Sequence, residues 1–443
     1  MSTSSSNGSL PLRFRGAARS LTPEQTKALL DRGTTDNDVM RDTVSAIIDA
    51  VRHDGDSVLK SLAREYDHVT LKRLDVPKSE WTKALEALDP AVRSAMERSA
   101  RNIEAAHRAF LPSATEVETE PGITIGRRPD ALGSVGVYAP GGRAAYPSSV
   151  LMGVIPARVA GVGEVVLCSP PGSNGLPSPA VLAACAIAKV DKVFALGGAG
   201  AIAAMAYGTQ SVPRVDRIVG PGNAWVTEAK VQVAKACAID SPAGPSELLV
   251  IADGSADTGQ VAREILAQAE HDPMACVVAV AVGDDVAAKI DAAVETMVGG
   301  YGRSAIIRQA LEANGGVLSV DSLEEAVRLA NAYAAEHLLL AVADPNLVLP
   351  ALRNQGTIFV GTSASVSFGD YMTGANHTLP TNGLARSYSG LSTLDFIRWT
   401  TYQRVTPEAA ARLAADVGAF ADAEGLDGHA RAARAWGRAG GAS

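Results

Sequence analysis

The stretch SVGVYAPGGRAAYPSSVLMGVIPARVAGVGEVVLCSP, residues 134–170, decides the fold class. It opens on a short β-rich run, turns through a Gly- and Pro-rich corner into a helical segment, and returns to a second β-rich run ending in Pro170. Strands alternating with helices in this way form βαβ units, and βαβ units build a parallel sheet. The texture continues through KVFALGG and DRIVGPG. A second series, SELLVIAD, MACVVAVAV, GGVLSV, EHLLLAVA and GTIFVG, fills residues 246–361. Two parallel-sheet domains are therefore expected, an α/β architecture.

Outside this region the signals are mostly helical. SLTPEQTKALL starts a helix with Thr22 as N-cap, Pro23 at the first helical position and Gln25 closing a capping box. Residues 39–66 and 88–111 carry helical periodicity, with a break near Gly55. VETEPGITIGRRPD reads as a strand or hairpin region, and beyond residue 391 the chain reads as helical again. The opening MSTSSSNGSLP lacks the basic start and apolar core of a signal peptide and reads as a disordered tail.

At 443 residues the chain exceeds one simple core. A net charge of −8 argues against nucleic acid or an anionic membrane as main partner, since both reward clustered Lys and Arg. No run approaches the roughly 20 uninterrupted apolar residues of a membrane span. Cys168, Cys185, Cys237 and Cys276 sit in apolar settings with no Cys-x-x-Cys pair. Neither a thiolate metal site nor a disulfide framework is signalled, and a cytoplasmic location is expected.

Ligand-binding signals gather at the corners. YAPGGRAAYPSSVLM (138–152) surrounds Tyr138 and Arg143 with Gly and Pro, and VGPGNAWV (219–226) and SPAGPSELLV (241–250) repeat the pattern. In α/β sheets such corners bind ligands, so a cleft at the carboxyl ends of strands is expected. Gly198-x-Gly200-x-x-Ala203 has the form of a dinucleotide fingerprint. Its acidic partner is misplaced, because Asp216 opens the next strand where it should end it. A tight turn explains the motif at least as well.

The tripeptide Ala-Glu-His occurs twice, at 269–271 and 335–337, in a chain with 7 histidines. Gln268 and His271 share one side of a helix end, where a metal could take an amide oxygen and an imidazole nitrogen. Taken alone, that segment reads more simply as a helix end with a dipole-favoured His. FGDYMTGANHTLPTNGLARSYSGLS (368–392) is too long and irregular for a plain connection, and offers Asp370 and His377. Glu424 and His429, in EGLDGHARA, read by themselves as surface residues. His53, His68 and His107 read as structural or surface.

Taken together and in order, YAPGGRAAYPSSVLM, VGPGN, AGPSELLVIAD, QAEHDP, AYAAEHL, GDYMTGANHTLPT and EGLDGH resemble the histidinol dehydrogenase family from about residue 40 to 430. The resemblance implies two incomplete Rossmann-like parallel-sheet domains with small helical N- and C-terminal extensions. Its segments would be 1–34, then 35–137 plus 246–391 as main domain, 138–245 on the NAD side, and 392–443 as a C-terminal arm. It implies zinc- and NAD-dependent oxidation of L-histidinol to L-histidine through the aldehyde, the final step of histidine biosynthesis. Zinc, one per subunit, would be held by Gln268, His271, Asp370 and His429. The same four residues, with Ser246, His337, His377 and Glu424, would form the substrate site. Glu336 and His337 would be catalytic, while Tyr138, Asn223 and position 200 would contact NAD+, used twice per substrate. An obligate homodimer with exchanged C-terminal arms is implied.

Two positions depart from the family pattern. Gly200 stands where the family usually has Gln, and Ala335 where it often has Pro, a change expected to loosen the approach to Glu336. The rival readings are a metal-free aldehyde-dehydrogenase-like oxidoreductase using a cysteine, and a zinc hydrolase.

Overall fold

The structure is a computed structural model that describes residues 10–32, 37–141 and 145–439. Arg143 and the first nine residues of the expected tail lie outside the described residues. The chain divides into two compact units, Met1–Phe110 with Gly133–Phe396, and Leu111–Leu132 with Ile397–Ser443.

The first unit contains both expected parallel sheets. One has six strands in the spatial order Phe14–Ala17, Gly315–Val320, Cys276–Val282, Glu247–Ala252, His337–Ala341, Thr357–Val360. All of its pairings are parallel. Its residues alternate between two cores. Leu248, Val250, Ala279 and Leu339 face one layer of helices, while Leu249, Ile251, Val280 and Leu340 face the other. A sheet buried on both faces requires apolar residues at every position, which is why its strands read as unbroken apolar runs.

The other sheet has five strands in the order Lys192–Ala195, Glu164–Ser169, Ser134–Tyr138, Arg217–Val219, Ala238–Ile239. Counted along the chain this order is 3-2-1-4-5, so the winding reverses between Ser134–Tyr138 and Arg217–Val219. The larger sheet reverses likewise between Glu247–Ala252 and His337–Ala341.

Local expectations hold at several points. Thr22 and Gln25 form the reciprocal capping box, and helices Asp38–Asp54 and Asp56–Tyr66 break at Gly55, whose φ is +56°. Two expectations fail. Leu10, placed in the tail, is buried, and Phe14–Ala17 adds an edge strand to the larger sheet. Four residues carry too little periodicity to announce a strand; pairing with Gly315–Val320 creates it. Beyond 391 the chain is not all helical, for Ile397–Val405 pairs antiparallel with Ile123–Ala131.

That strand belongs to the second unit, a three-stranded sheet completed by Thr115–Glu120, followed by helices Pro407–Ala423 and Asp427–Ala439. Gly126 is needed there, because a Cβ would lie 2.1 Å from the Tyr402 ring. Among the described residues, no helix is long and apolar enough to cross a membrane.

Candidate functional site

The six-stranded sheet builds its polar cluster at the amino ends of its central strands, Glu247 and His337 being first residues. This corrects the expectation of a cleft formed only by carboxyl ends. The reason is connectivity: Ser241–Ser246 leads from the end of the last strand of the smaller sheet directly into Glu247. Corner SPAGPSELLV therefore leaves one sheet at a carboxyl end and enters the other at an amino end.

Helix Leu323–Tyr333 stops at Ala334, which adopts the left-handed conformation with φ +54°. A non-glycine residue there is a costly reversal. It turns the chain into the strand so that Glu336 and His337 emerge buried, at 6% and 4% exposure. Ala335 donates its N–H to Gln355 Oε1 at 3.1 Å, a bond that a proline could not make. The expected loosening before Glu336 is thus met by a tether.

His337 is fixed on one side and open on the other. Its Nδ1 lies 2.9 Å from the Glu247 carbonyl and 3.3 Å from Glu336 Oε2, so Nδ1 carries the proton of that bond. Nε2 is buried and has no hydrogen-bond partner among the described residues; Asp370 Oδ1 is 3.7 Å away. Phe359, on the neighbouring strand, stacks on the ring. Burial opposes the charged ring, but the Glu336 carboxylate and then Asp370 outweigh it and raise the pKa to about 9.

Asp370 lies in the last turn of the short helix Val366–Tyr371. Burial raises its carboxyl to about 6, and no described residue donates a hydrogen bond to it. His377 is half-buried, with Nδ1 3.0 Å from the Asp370 carbonyl, and desolvation lowers it to about 4. Burial lowers His271 against the raising charge of Glu270, and His337, which also lowers His377, adds to the effect. The structure therefore brings His271, Glu336, His337, Asp370 and His377 into one electrostatic cluster. Gln268 is buried in the last turn of Thr258–Ala269, and Ser246 is half-buried beside Glu247.

The loop after Asp370 is pinned along its length. Asn376 donates to the Met152 carbonyl, Gly244 donates to Thr381 Oγ1, and Asn382 donates to Glu247. Its irregularity in the sequence thus conceals an ordered path. Two acidic residues escaped sequence reading. Glu247 looked like one polar residue before an apolar strand, and Glu264, which accepts the Val366 N–H, looked like an ordinary helix charge.

At the smaller sheet the candidate cofactor residues are carboxyl-terminal, as expected. Tyr138 and the turn Gly220–Asn223 flank the point where the winding reverses, which is where such sheets bind nucleotides. The Tyr138 hydroxyl accepts the Gly198 N–H at 3.1 Å, and burial raises its pKa to about 12. Asn223 is exposed and caps helix Ala224–Val233 through the Val226 N–H. Gly200 is buried and directed at Leu62 and Leu59. Asp216 accepts from Ser134, so it serves the sheet and not a ribose.

Glu424 and His429 belong to the second unit, at the end of helix Pro407–Ala423 and in helix Asp427–Ala439, and both are exposed. Among the described residues no group of three His, Cys, Asp or Glu has metal-holding geometry. All four cysteines are buried, and burial pushes their thiols up, Cys237 to about 11 and Cys276 to about 12. A buried protonated thiol is a poor nucleophile, which removes the support for the cysteine-based reading.

Two doubly wound sheets with desolvated imidazole and carboxylate groups where one hands over to the other define a Rossmann-like α/β enzyme. The histidinol dehydrogenase family model matches residues 30–436. A histidinol dehydrogenase from Methanosarcina barkeri is 47% identical over 411 residues, covering 93% of this chain and 94% of that one. One from Xanthomonas axonopodis pv. citri is 43% identical, covering 88% and 91%. The crystal structure of histidinol dehydrogenase from Elizabethkingia anophelis superposes with a TM-score of 0.93 at 32% identity, over 97% of this chain and 99% of that one. The chain belongs to the histidinol dehydrogenase family, which makes it an oxidoreductase of histidine biosynthesis.

Proposed function

We propose that this protein oxidises L-histidinol to L-histidine through the aldehyde, with one zinc ion per subunit and two NAD+ used in succession. The carrying observation is His337, whose Nδ1 is held by the Glu247 carbonyl while its buried Nε2 has no hydrogen-bond partner among the described residues. A ring fixed in this way can take a proton at one atom only.

The residues present fit a cation. Asp370 is a withdrawn carboxylate without a donor among the described residues, beside Glu336 and Glu264, so the region is rich in acidic groups. Gln268, His271 and Asp370, with His429 supplied across a homodimer by an exchanged arm, would hold zinc. When bound, zinc supplies the positive charge that orients the substrate, and NAD+ accepts hydride. Ser246, His377 and Glu424 would line the substrate pocket. Tyr138 and Asn223 would meet the cofactor on the 138–245 side, with 35–137 plus 246–391 as the main domain.

In this reading a cation held beside Asp370 would offset the carboxylates that raise His337, leaving the ring neutral so that Nε2 takes the alcohol proton as hydride leaves carbon. The Glu336 carboxylate then takes a proton from the water that adds to the aldehyde. Loss of a second hydride from the hydrated aldehyde yields the acid. The exposed Val417, Phe420 and Trp436 of the second unit are the apolar surface that a dimer would cover. A cytoplasmic location suits the pathway.

The test is NADH formed per L-histidinol consumed, with and without chelator. Two NADH per substrate, lost on chelation, is the expected result. One NADH per substrate, or turnover indifferent to chelation, would sink the reading.

A further inference from the structure

Glu247 touches the Glu336–His337 pair through every polar group it has. Its N–H donates to Glu336 Oε2 at 2.7 Å, and its carboxylate accepts the Glu336 N–H at 3.3 Å. Its carbonyl holds His337 Nδ1 at 2.9 Å. The same carboxylate accepts the Asn382 N–H at 2.9 Å, tying in the long loop.

The carboxylate is itself fixed by Arg32, which approaches with both Nε and Nη2, at 2.9 and 3.0 Å. The two side chains are 5% and 0% exposed. Arg32 Nη2 also donates to the Tyr333 carbonyl, Nη1 to the Leu29 and Leu30 carbonyls, and the guanidinium lies 3.5 Å from the centre of the Tyr333 ring. A buried ion pair of this kind adds little net stability compared with an apolar pair of equal volume. Its geometric consequence is larger. It anchors the residue whose main-chain N–H takes up Glu336 Oε2 and whose carbonyl takes up His337 Nδ1, leaving His337 Nε2 without a hydrogen bond among the described residues.

We infer that the Arg32–Glu247 pair is the positioning device of the site, linking the N-terminal segment, the Glu336–His337 strand start and the 368–392 loop into one rigid unit. The inference rests on the catalytic roles proposed above for Glu336 and His337. Sub-ångström placement of such groups is worth about 100-fold in rate.

The test compares Glu247→Asp, Arg32→Met and the double variant Arg32→Met/Glu247→Gln with the wild-type chain. Glu247→Asp keeps the charge but withdraws the carboxylate from the Glu336 N–H. It is expected to stay folded, with kcat down about 100-fold and KM for L-histidinol near the wild-type value. The double variant removes both buried charges and is expected to recover the melting temperature lost in Arg32→Met without recovering kcat. A double variant or a folded Glu247→Asp protein with wild-type kcat would overturn the inference, leaving the pair purely structural.

Amide exchange in the segments carrying Glu336 and Asn382 reads the same claim with no substrate present. Protection there is expected to fall at least about tenfold in Glu247→Asp, and unchanged protection overturns positioning. If the wild-type chain yields no NADH, the functional reading fails while the exchange experiment still decides the positioning.

Discussion

Gly200 and Leu62 compete for one volume: a Cβ on Gly200 would lie 2.8 Å from Leu62 Cδ1. The position where the resemblance implies a Gln faces the side-chain end of half-buried Leu62. Gly200→Gln should therefore overpack this contact, costing about 1–3 kcal/mol less any gain in helix propensity. Adding Leu62→Ala should relieve the strain. Thermal unfolding of the two single variants and the double variant checks this; strictly additive changes would show that the residues do not share space.

His337 and Glu336 should fail differently. His337→Asn is expected to lower L-histidinol turnover by about 10²–10⁴-fold, the range of a lost general base. Glu336→Gln should retain more of the first oxidation than of the second, so that supplied aldehyde is converted more slowly than alcohol relative to wild type. Single-turnover NADH formation from each substrate separates the steps. Equal losses for both substrates in both variants would argue against the division of labour.

His107 sets an acid limit on stability. It is buried in helix Pro90–Ala109 with neither ring nitrogen hydrogen-bonded among the described residues, and burial lowers its pKa from 6.5 to about 4. The unfolded chain binds this proton below pH 6.5, whereas the folded chain resists it down to about pH 4. Stability contributed by the neutral ring is therefore complete above pH 6.5, is lost as pH falls through that window, and levels off below it. After solvent screening the loss is about 2 kcal/mol. Denaturant midpoints between these pH values should slope less steeply for His107→Leu than for wild type, the remaining slope belonging to groups such as His377.

Lys230 is 1% exposed, paired with Asp240 and bonded to the Gly220 and Ser241 carbonyls. Asp240 in turn accepts the Gly220 N–H at 2.8 Å. Lys230→Met would leave a buried carboxylate unpaired, at a cost of about 3–5 kcal/mol. The turn that presents Asn223 would also loosen, so KM for NAD+ should rise as the melting temperature falls. Lys230→Met/Asp240→Asn should restore the melting temperature. A Lys230→Met protein of wild-type stability would refute the account.

What the sequence determined by itself was what local chemistry can specify. Apolar runs buried on both faces announce parallel strands, Thr22 and Gln25 announce a helix start, and the ordered motifs from Tyr138 to His429 announce the family. Only tertiary structure could decide the rest, since those properties are created by partners distant in the chain. Phe14–Ala17 and Ile397–Val405 become strands because Gly315–Val320 and Ile123–Ala131 offer them unpaired edges. Glu247 is an unremarkable acid in SELLV until Arg32, 215 residues before it, and Glu336, 89 residues after it, enclose its carboxylate. The two Ala-Glu-His copies likewise differ by environment alone. One follows a helix end, leaving His271 lowered by burial, whereas the other emerges from a left-handed turn onto a strand, where neighbouring carboxylates raise His337. Desolvation and charge are properties of the packed neighbourhood, and no local pattern of residues encodes them.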